Sequence, residues 1–120
     1  MNEQKPSQQW VYRARVTNVV DGDTVDVVID AGFRSTRTER LRLLGVNTPE
    51  RKGATKAAGD AARSYTLAWL SWAGDSAWPL TVQTSKSDAF GRYLGTIWRP
   101  DGRCLNDDLL ADGQAVPFDG

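Results

Sequence analysis

The stretch LRLLGVNTPE, residues 41–50, marks the point at which the character of the chain changes. Before it, β-branched residues are dense and partly alternate with polar ones, and after it the sequence is rich in alanine. The stretch begins as a hydrophobic segment that carries one charge, Arg42, and then passes a glycine and a proline, which commonly end regular structure. We therefore predict a strand that leads into a helix, with polar side chains at the exit of the strand.

Upstream of this stretch, the pattern predicts a β-meander. Residues 10–20 and 24–29 have the composition of strands. DGDT, residues 21–24, joins them and is typical of a tight hairpin turn. AGFRST, residues 31–36, reads as a second turn, after which residues 39–44 return as a third strand.

Downstream, the pattern predicts one long helix over residues 55–73, two strands over residues 80–84 and 92–98, and a short helix over residues 105–111 that ends near Gly113. The apolar face of the long helix is expected to contain Ala58, Ala61, Ala62, Tyr65, Trp69 and Trp72, which recur at helical spacing. This element order predicts a mainly β, α+β fold: a five-stranded OB-fold barrel with a helix between strands 3 and 4 and a short C-terminal helix.

Length and composition limit the classes of protein to consider. A chain of 120 residues with 40% hydrophobic and 25% charged residues predicts one globular domain, residues 10–120. Residues 1–9 are polar and are expected to form a flexible arm without the apolar segment of a signal peptide, which favours a cytoplasmic location. No apolar run approaches the ~18 residues of a membrane span, so no membrane partner is expected. We expect a monomer.

The residue types also limit the metal chemistry. A single cysteine, Cys104, excludes an internal disulfide, and the absence of histidine leaves no structural zinc site. Any metal would have to be a hard cation bound by oxygen.

Charge is unevenly distributed although the formal net charge is zero. Between residues 31 and 63, eight basic residues face three acidic ones. The basic residues are Arg34, Arg37, Arg40, Arg42, Arg51, Lys52, Lys56 and Arg63. A surface that binds a polyanion would show such a bias, and a solvated surface of mixed charge would show it too.

Polar clusters stand where predicted strands end: DGDT at residues 21–24, NTPE at residues 47–50 and DAFGR at residues 88–92. Each has a purely structural alternative. DGDT fits a hairpin turn, Glu50 fits the first turn of a helix, and Asp88 with Arg92 fits a surface ion pair. Arg42 is harder to explain in this way, because a half-buried guanidinium needs an anionic partner. Glu50 or a bound phosphate would serve.

Together the clusters contain the groups needed to cleave a phosphodiester without a histidine base. Arg42 and Arg92 can stabilise charge on the phosphate oxygens. Glu50 can orient or deprotonate a water molecule. Oxygen ligands from Asp23 and the region of Asn47 can hold a cation that polarises the phosphate.

Three motifs in this order, DGDTV, RLLGVNTPE and DAFGRYLG, resemble the staphylococcal nuclease-like (thermonuclease) family. The resemblance covers roughly residues 12–115. It implies an OB-fold nuclease that cleaves DNA and RNA in a Ca²⁺-dependent reaction. It further implies that Arg42 and Arg92 are phosphate-binding catalytic residues and that Glu50 is the catalytic carboxylate.

The same resemblance implies a calcium site. Asp23 would be a metal ligand, and Thr48 would contribute its backbone carbonyl. Asn47 stands where the family has a second aspartate ligand, so this chain departs from the family by one negative charge. Lower charge among the ligands is expected to weaken calcium binding.

The predicted function is therefore a Ca²⁺-dependent nuclease that hydrolyses DNA and/or RNA with little sequence preference, since its groups contact phosphates and not bases. One alternative is a nucleic-acid-binding OB module that has lost catalysis through the weakened calcium site. Another is a barrel that binds proteins. Arg42, Glu50 and Arg92 favour the enzyme, because a binding protein has no need for a carboxylate beside a phosphate.

Overall fold

A closed five-stranded barrel is the central feature of the computed structural model, which describes residues 10–87 and 91–118. In chain order the elements are β1 (Trp10–Asp21), β2 (Thr24–Gly32), β3 (Ser35–Leu43), β4 (Val46–Asn47), α1 (Lys56–Ser71), β5 (Leu80–Ser87), β6 (Tyr93–Trp98), α2 (Leu105–Ala111) and β7 (Val116–Pro117). The barrel strands follow the order β1-β2-β3-β6-β5. The predicted flexible arm, residues 1–9, lies outside the described residues.

The connectivity confirms the predicted fold class. β1, β2 and β3 form an antiparallel meander. β5 and β6 form a second antiparallel pair, and the barrel closes where β6 pairs in parallel with β3 and β5 pairs with β1. α1 lies between the third and fourth barrel strands, and α2 follows the fifth. The two-residue ladder between β4 and β7 was not predicted.

The hairpin of β2 and β3 is longer than the sequence pattern indicated. β3 begins at Ser35 and not at residue 39, so the turn shrinks to Phe33 and Arg34. Residues 35–38 are all exposed. A strand with no buried face has no apolar alternation, so its pattern could not be distinguished from that of a loop.

The hydrophobic core fills the barrel and extends beneath the two helices. Its largest fully buried side chains are Val25, Val27, Leu41, Leu43, Val46, Thr66, Val82, Ile97, Leu105 and Leu109. Cys104 is also buried, which raises the pKa of its thiol. In the described ranges, no helix is long and apolar enough to cross a bilayer.

The buried face of α1 differs from the predicted face. Ala62 and Trp69 are buried as expected, but Ala58 and Ala61 are exposed and Trp72 is 77% exposed. The helix instead buries Gly59 and Thr66, and the Thr66 hydroxyl donates a hydrogen bond of 2.7 Å to the carbonyl of Gly22. A polar residue can occupy a buried position when its hydroxyl is satisfied, and hydrophobicity alone does not predict that.

Candidate active site

The DGDT turn between β1 and β2 brings Asp23 into a buried position, with 6% of the residue exposed. Its Oδ1 accepts a hydrogen bond from the Thr24 hydroxyl at 3.0 Å, and its Oδ2 accepts one from the backbone N–H of Thr48 at 2.9 Å. The carbonyl of Asp23 accepts a further bond from the N–H of Leu43. Two of the predicted clusters, DGDT and NTPE, are therefore joined directly.

Arg42 lies on β3, between Leu41 and Leu43, whose side chains point into the core. Alternation along a strand therefore places Arg42 on the outer side of the barrel. It is nevertheless only 9% exposed, because β4 and the C-terminal segment cover it. Its Nη1 donates a hydrogen bond to the carbonyl of Val46 at 3.0 Å, and its Nη2 donates one to Oδ1 of Asn47 at 3.0 Å.

The anionic partner of this guanidinium is Asp23. Nη1 of Arg42 lies 2.7 Å from Oδ2 of Asp23, and both side chains are nearly buried. Glu50, a partner considered from the sequence, does not have this role, since its carboxylate is exposed beside Lys52. The pairing could not be read from local spacing because Asp23 lies in the turn between β1 and β2, nineteen positions before Arg42 on β3.

The C-terminal segment forms a cover over Arg42 that the sequence did not reveal. β7 pairs with β4, and the N–H of Phe118 donates to the carbonyl of Gly45 at 3.0 Å. The Phe118 ring centroid lies 5.2 Å from Cζ of Arg42, within the range of a cation–π contact. The sequence signal for this cover is the apolar segment VPF, residues 116–118, which follows Gly113.

Glu50 is held at its backbone while its carboxylate faces solvent. The side chain is 73% exposed, and its Oε1 lies 3.7 Å from Nζ of Lys52. The carbonyl of Glu50 accepts a hydrogen bond of 2.8 Å from the Thr55 hydroxyl. A Cβ atom at Gly59 would lie 2.5 Å from that carbonyl oxygen, so α1 and the NTPE segment can pack closely only at a glycine. A glycine inside an alanine-rich helix was a signal for such an approach.

Arg92 is half-buried and directly precedes β6. In the parallel pairing of β3 with β6, Tyr93 lies opposite Leu41 and Leu94 lies opposite Arg42. Arg92 and Arg42 are thus two positions out of register on neighbouring strands, an offset of about 7 Å along the strand direction. The remainder of the third predicted cluster, residues 88–90, lies outside the described residues.

Comparison with known sequences agrees with this architecture. Residues 40–119 match the sequence profile of the staphylococcal nuclease homologue family. The chain belongs to this family. The match contains Arg42, Glu50 and Arg92 but begins after the DGDT turn. Asp23 lies outside the match, and the hydrogen bond from the N–H of Thr48 connects it to the matched region.

Several relatives resemble this staphylococcal nuclease homologue over most of its length. Protein ParB of Escherichia coli is 33% identical over 121 residues, which covers 93% of this chain and 61% of that protein. An uncharacterized endonuclease of Escherichia coli is 32% identical over 105 residues, covering 88% and 60%. The thermonuclease of Staphylococcus intermedius is 32% identical over 103 residues, covering 83% and 56%. The chain thus spans little more than half the length of these relatives.

Two of the side chains expected to bind metal, those of Asp23 and Asn47, lie close together. Both contact the guanidinium of Arg42, and the backbone N–H of Thr48, not its carbonyl, is bonded to Asp23. Carboxylate and amide oxygens are suitable ligands for a hard cation such as Ca²⁺. Their combined charge is low: among the described residues, no group of three or more acidic, cysteine or histidine side chains is placed to hold a metal. The carboxylate of Asp21 lies 3.9 Å from Nη1 of Arg51, at the surface.

Proposed function

We propose that this chain hydrolyses phosphodiester bonds in DNA and/or RNA with little sequence preference. The observation that carries the proposal is the buried guanidinium of Arg42, grouped with Asp23 and Asn47 on the outer side of the barrel in a member of the staphylococcal nuclease homologue family. A compact domain, residues 10–120, acting as a monomer would be sufficient. Light scattering of the purified protein tests the oligomeric state.

Arg42 and Arg92 are proposed to bind the scissile phosphate and to stabilise the charge that develops on its oxygens. Arginine has five N–H donors, and the contacts with Val46, Asn47 and Asp23 engage three of those on Arg42. Other donors of the same group can therefore bind phosphate oxygens. A planar guanidinium that is already held in position loses little side-chain entropy when it binds phosphate, which favours arginine over lysine here.

Glu50 is proposed to orient or deprotonate the attacking water. Its carboxylate is 73% exposed, so water can reach it, and the chain contains no histidine to take this role. Close packing of the Glu50 backbone against Gly59 holds in place the backbone from which this carboxylate projects.

Ca²⁺ is proposed as the cofactor, with Asp23, Asn47 and the backbone carbonyl of Thr48 as its ligands. When bound, it would supply positive charge that polarises the phosphate. Since Oδ2 of Asp23 also lies 2.7 Å from Arg42, this carboxylate would hold both positive groups beside the same phosphate. Asn47 contributes an amide oxygen without charge, so we expect weak calcium affinity.

A second candidate function is nucleic-acid binding without cleavage. It is favoured by the pairing of Asp23 with Arg42, which already compensates the one buried carboxylate of the donor set. It is also favoured by the pairing of Glu50 with Lys52 at the surface. In that case the arginines would bind phosphates but no metal would assemble beside them.

Incubation with single-stranded and duplex DNA and RNA, in Ca²⁺, Mg²⁺ or chelator, separates the two candidates. Cleavage that requires Ca²⁺ and is lost in an Arg42→Lys variant shown to be folded supports the nuclease. Retention of the nucleic acid without cleavage supports the binding module. Lys56→Ala is the matched control, since it removes an exposed cation that pairs with Asp60 on α1. If the nucleic acid is neither cleaved nor retained, both candidate functions are overturned.

A further inference from the structure

The tip of the β2–β3 hairpin, residues 32–34, has an unusual backbone. Gly32, Phe33 and Arg34 all have positive φ, at 87°, 54° and 63°. Glycine adopts this region freely, whereas a bulky side chain such as that of phenylalanine is rarely found there. Asparagine and glycine are the residues usually selected for such a turn. The turn therefore contains a ring that its own backbone disfavours.

The ring of Phe33 does not compensate for this strain by packing. Its relative exposure is 105%, so the side chain is as open to solvent as in an extended peptide. Hydrophobic burial within the chain does not account for phenylalanine at this position. A strained residue that no packing contact explains points to a role in function.

A positive charge accompanies the ring. Arg34 is exposed and forms no ion pair with any residue that the structure describes. The nearby arginines differ in this respect. Arg13 pairs with Asp30, Arg37 with Glu39 and Arg40 with Asp26. The hairpin tip therefore combines an exposed aromatic face with a guanidinium whose charge is not compensated by a neighbour.

β3 connects the hairpin tip to Arg42. Because Leu41 points inward, alternation places Arg40, Thr38 and Thr36 on the same outer side as Arg42. From Arg42 back to Ser35 the strand rises about 23 Å, at ~3.3 Å per residue. A stacked nucleic-acid strand at ~3.4 Å per nucleotide would cover that distance with about seven nucleotides. OB folds commonly bind ~4–16 nucleotides, so the span is a reasonable one.

We propose that the hairpin tip is a contact site for single-stranded nucleic acid, distant from the candidate active site. Phe33 stacks on a base, and Arg34 binds the adjacent phosphate. Stacking on an exposed ring is tolerant of sequence because every base has an aromatic face. This inference rests on the nucleic-acid partner of the proposed function, but it does not depend on cleavage.

The test is fluorescence anisotropy in chelator, so that no substrate is consumed, with single-stranded DNA of about four and about twenty nucleotides. We expect Phe33→Gly to weaken binding of the longer strand about tenfold and to leave the shorter one unchanged. Phe33→Trp should retain the affinity, and Arg34→Gln should weaken it and reduce its dependence on salt. Trp72→Ala, which removes another exposed ring just after the end of α1, is the matched control and should have no effect.

Phe33→Gly also separates strain from binding, because glycine relieves the backbone. The melting temperature should rise while affinity for the longer strand falls. A rise in melting temperature with unchanged affinity overturns the proposal, and so does an equal loss for both strand lengths. Binding that depends on Arg42 but not on Phe33 overturns this inference and leaves the proposed function standing. If no nucleic acid binds at all, both the inference and the proposed function are overturned. Phe33-dependent binding to phosphatidylserine vesicles, with none to DNA, would assign the tip to membranes instead.

Discussion

Nη1 of Arg42 lies 2.7 Å from Oδ2 of Asp23, in an ion pair with little exposure to solvent. Removing one partner of such a pair is strongly destabilising, typically by about 3–5 kcal/mol, because the other charge remains buried and uncompensated. The arginine proposed to bind phosphate therefore also supports the fold. Any loss of activity in its variants has to be separated from loss of folded protein.

We expect Arg42→Lys to lower the rate of hydrolysis at least ~10²-fold, the scale of losing one preorganised charge-stabilising group. Lysine can still pair with Asp23 but cannot also reach Val46 and Asn47 with a planar fork. Single-turnover rates should be measured at a temperature where urea titration shows the variant to be folded. Unchanged turnover in the folded variant would contradict the assignment.

Glu50→Gln should depress hydrolysis and leave substrate binding intact or improved, because a carboxylate that repels phosphate is neutralised. Stability should change by less than ~1 kcal/mol, since the pair with Lys52 is exposed. Lys52→Gln breaks the same pair from the other side and is the matched control. Equal loss of activity in the two variants would show that the pair, and not the carboxylate, matters.

Asn47→Asp should bind Ca²⁺ more tightly, by about tenfold, because it adds a full charge close to the proposed cation. The Coulomb attraction alone would give more than this tenfold gain in affinity, but the cost of desolvating the new carboxylate opposes it. Without metal, stability should change little, because Nη2 of Arg42 lies 3.0 Å from Asn47 Oδ1 and would pair with the new carboxylate. Calorimetric titration of both proteins is the measurement. Identical affinities would mean that Asn47 does not face the metal.

Local patterns in the sequence were sufficient for much of the fold. The bounds predicted for the short helix, residues 105–111, are those of α2. The meander was predicted from strand composition and the DGDT turn, and the five-stranded barrel from the succession of elements. These features depend on periodicity and turn chemistry, which act over a few residues.

The contacts that enclose the candidate site depend on residues far apart in sequence. Arg42 is paired with Asp23 from the turn between β1 and β2, and it is covered by Phe118 from the C-terminal segment. β4 and β7 are two residues long and have no periodicity to detect. On α1, Thr66 occupies a buried position because its hydroxyl is bonded to the carbonyl of Gly22. Such outcomes follow from tertiary packing, which a linear pattern does not contain.

Acid should destabilise the protein below about pH 4, near the ordinary pKa of aspartate. Hydrogen bonds from Arg40 hold the pKa of Asp26 below its usual value, and the pKa of Asp60 is lowered by bonds from Lys56 and Arg51. A lowered pKa in the folded state stabilises above the unfolded pKa, and this contribution is lost as pH falls through the folded pKa. Urea midpoints between pH 2 and 7 should therefore be flat above about pH 5 and fall below about pH 4.

Asp26→Asn should make that acid limb shallower, because it removes one of the groups that must be protonated. Asp75→Asn is the control, since Asp75 is exposed and forms no ion pair in the described part of the chain. An acid limb of equal steepness in Asp26→Asn and the wild type would show that the pair with Arg40 does not contribute.

Gly59→Ala should destabilise the protein and reduce its activity, although alanine normally stabilises a helix interior by about 1 kcal/mol relative to glycine. The new Cβ would lie 2.5 Å from the carbonyl oxygen of Glu50 and 2.8 Å from the N of Arg51, distances that require backbone to move. Overpacking of this kind commonly costs ~1–3 kcal/mol. Movement of the NTPE segment would also displace the proposed catalytic carboxylate, so the rate should fall even where the variant is fully folded.

Ser64→Ala is the control for this prediction. It lies at an exposed position on the same helix, so it measures only the stability gained from the higher helix propensity of alanine. Urea unfolding and single-turnover rates of the two variants decide the matter: a Gly59→Ala protein as stable and active as Ser64→Ala would mean that α1 does not hold the NTPE segment in place.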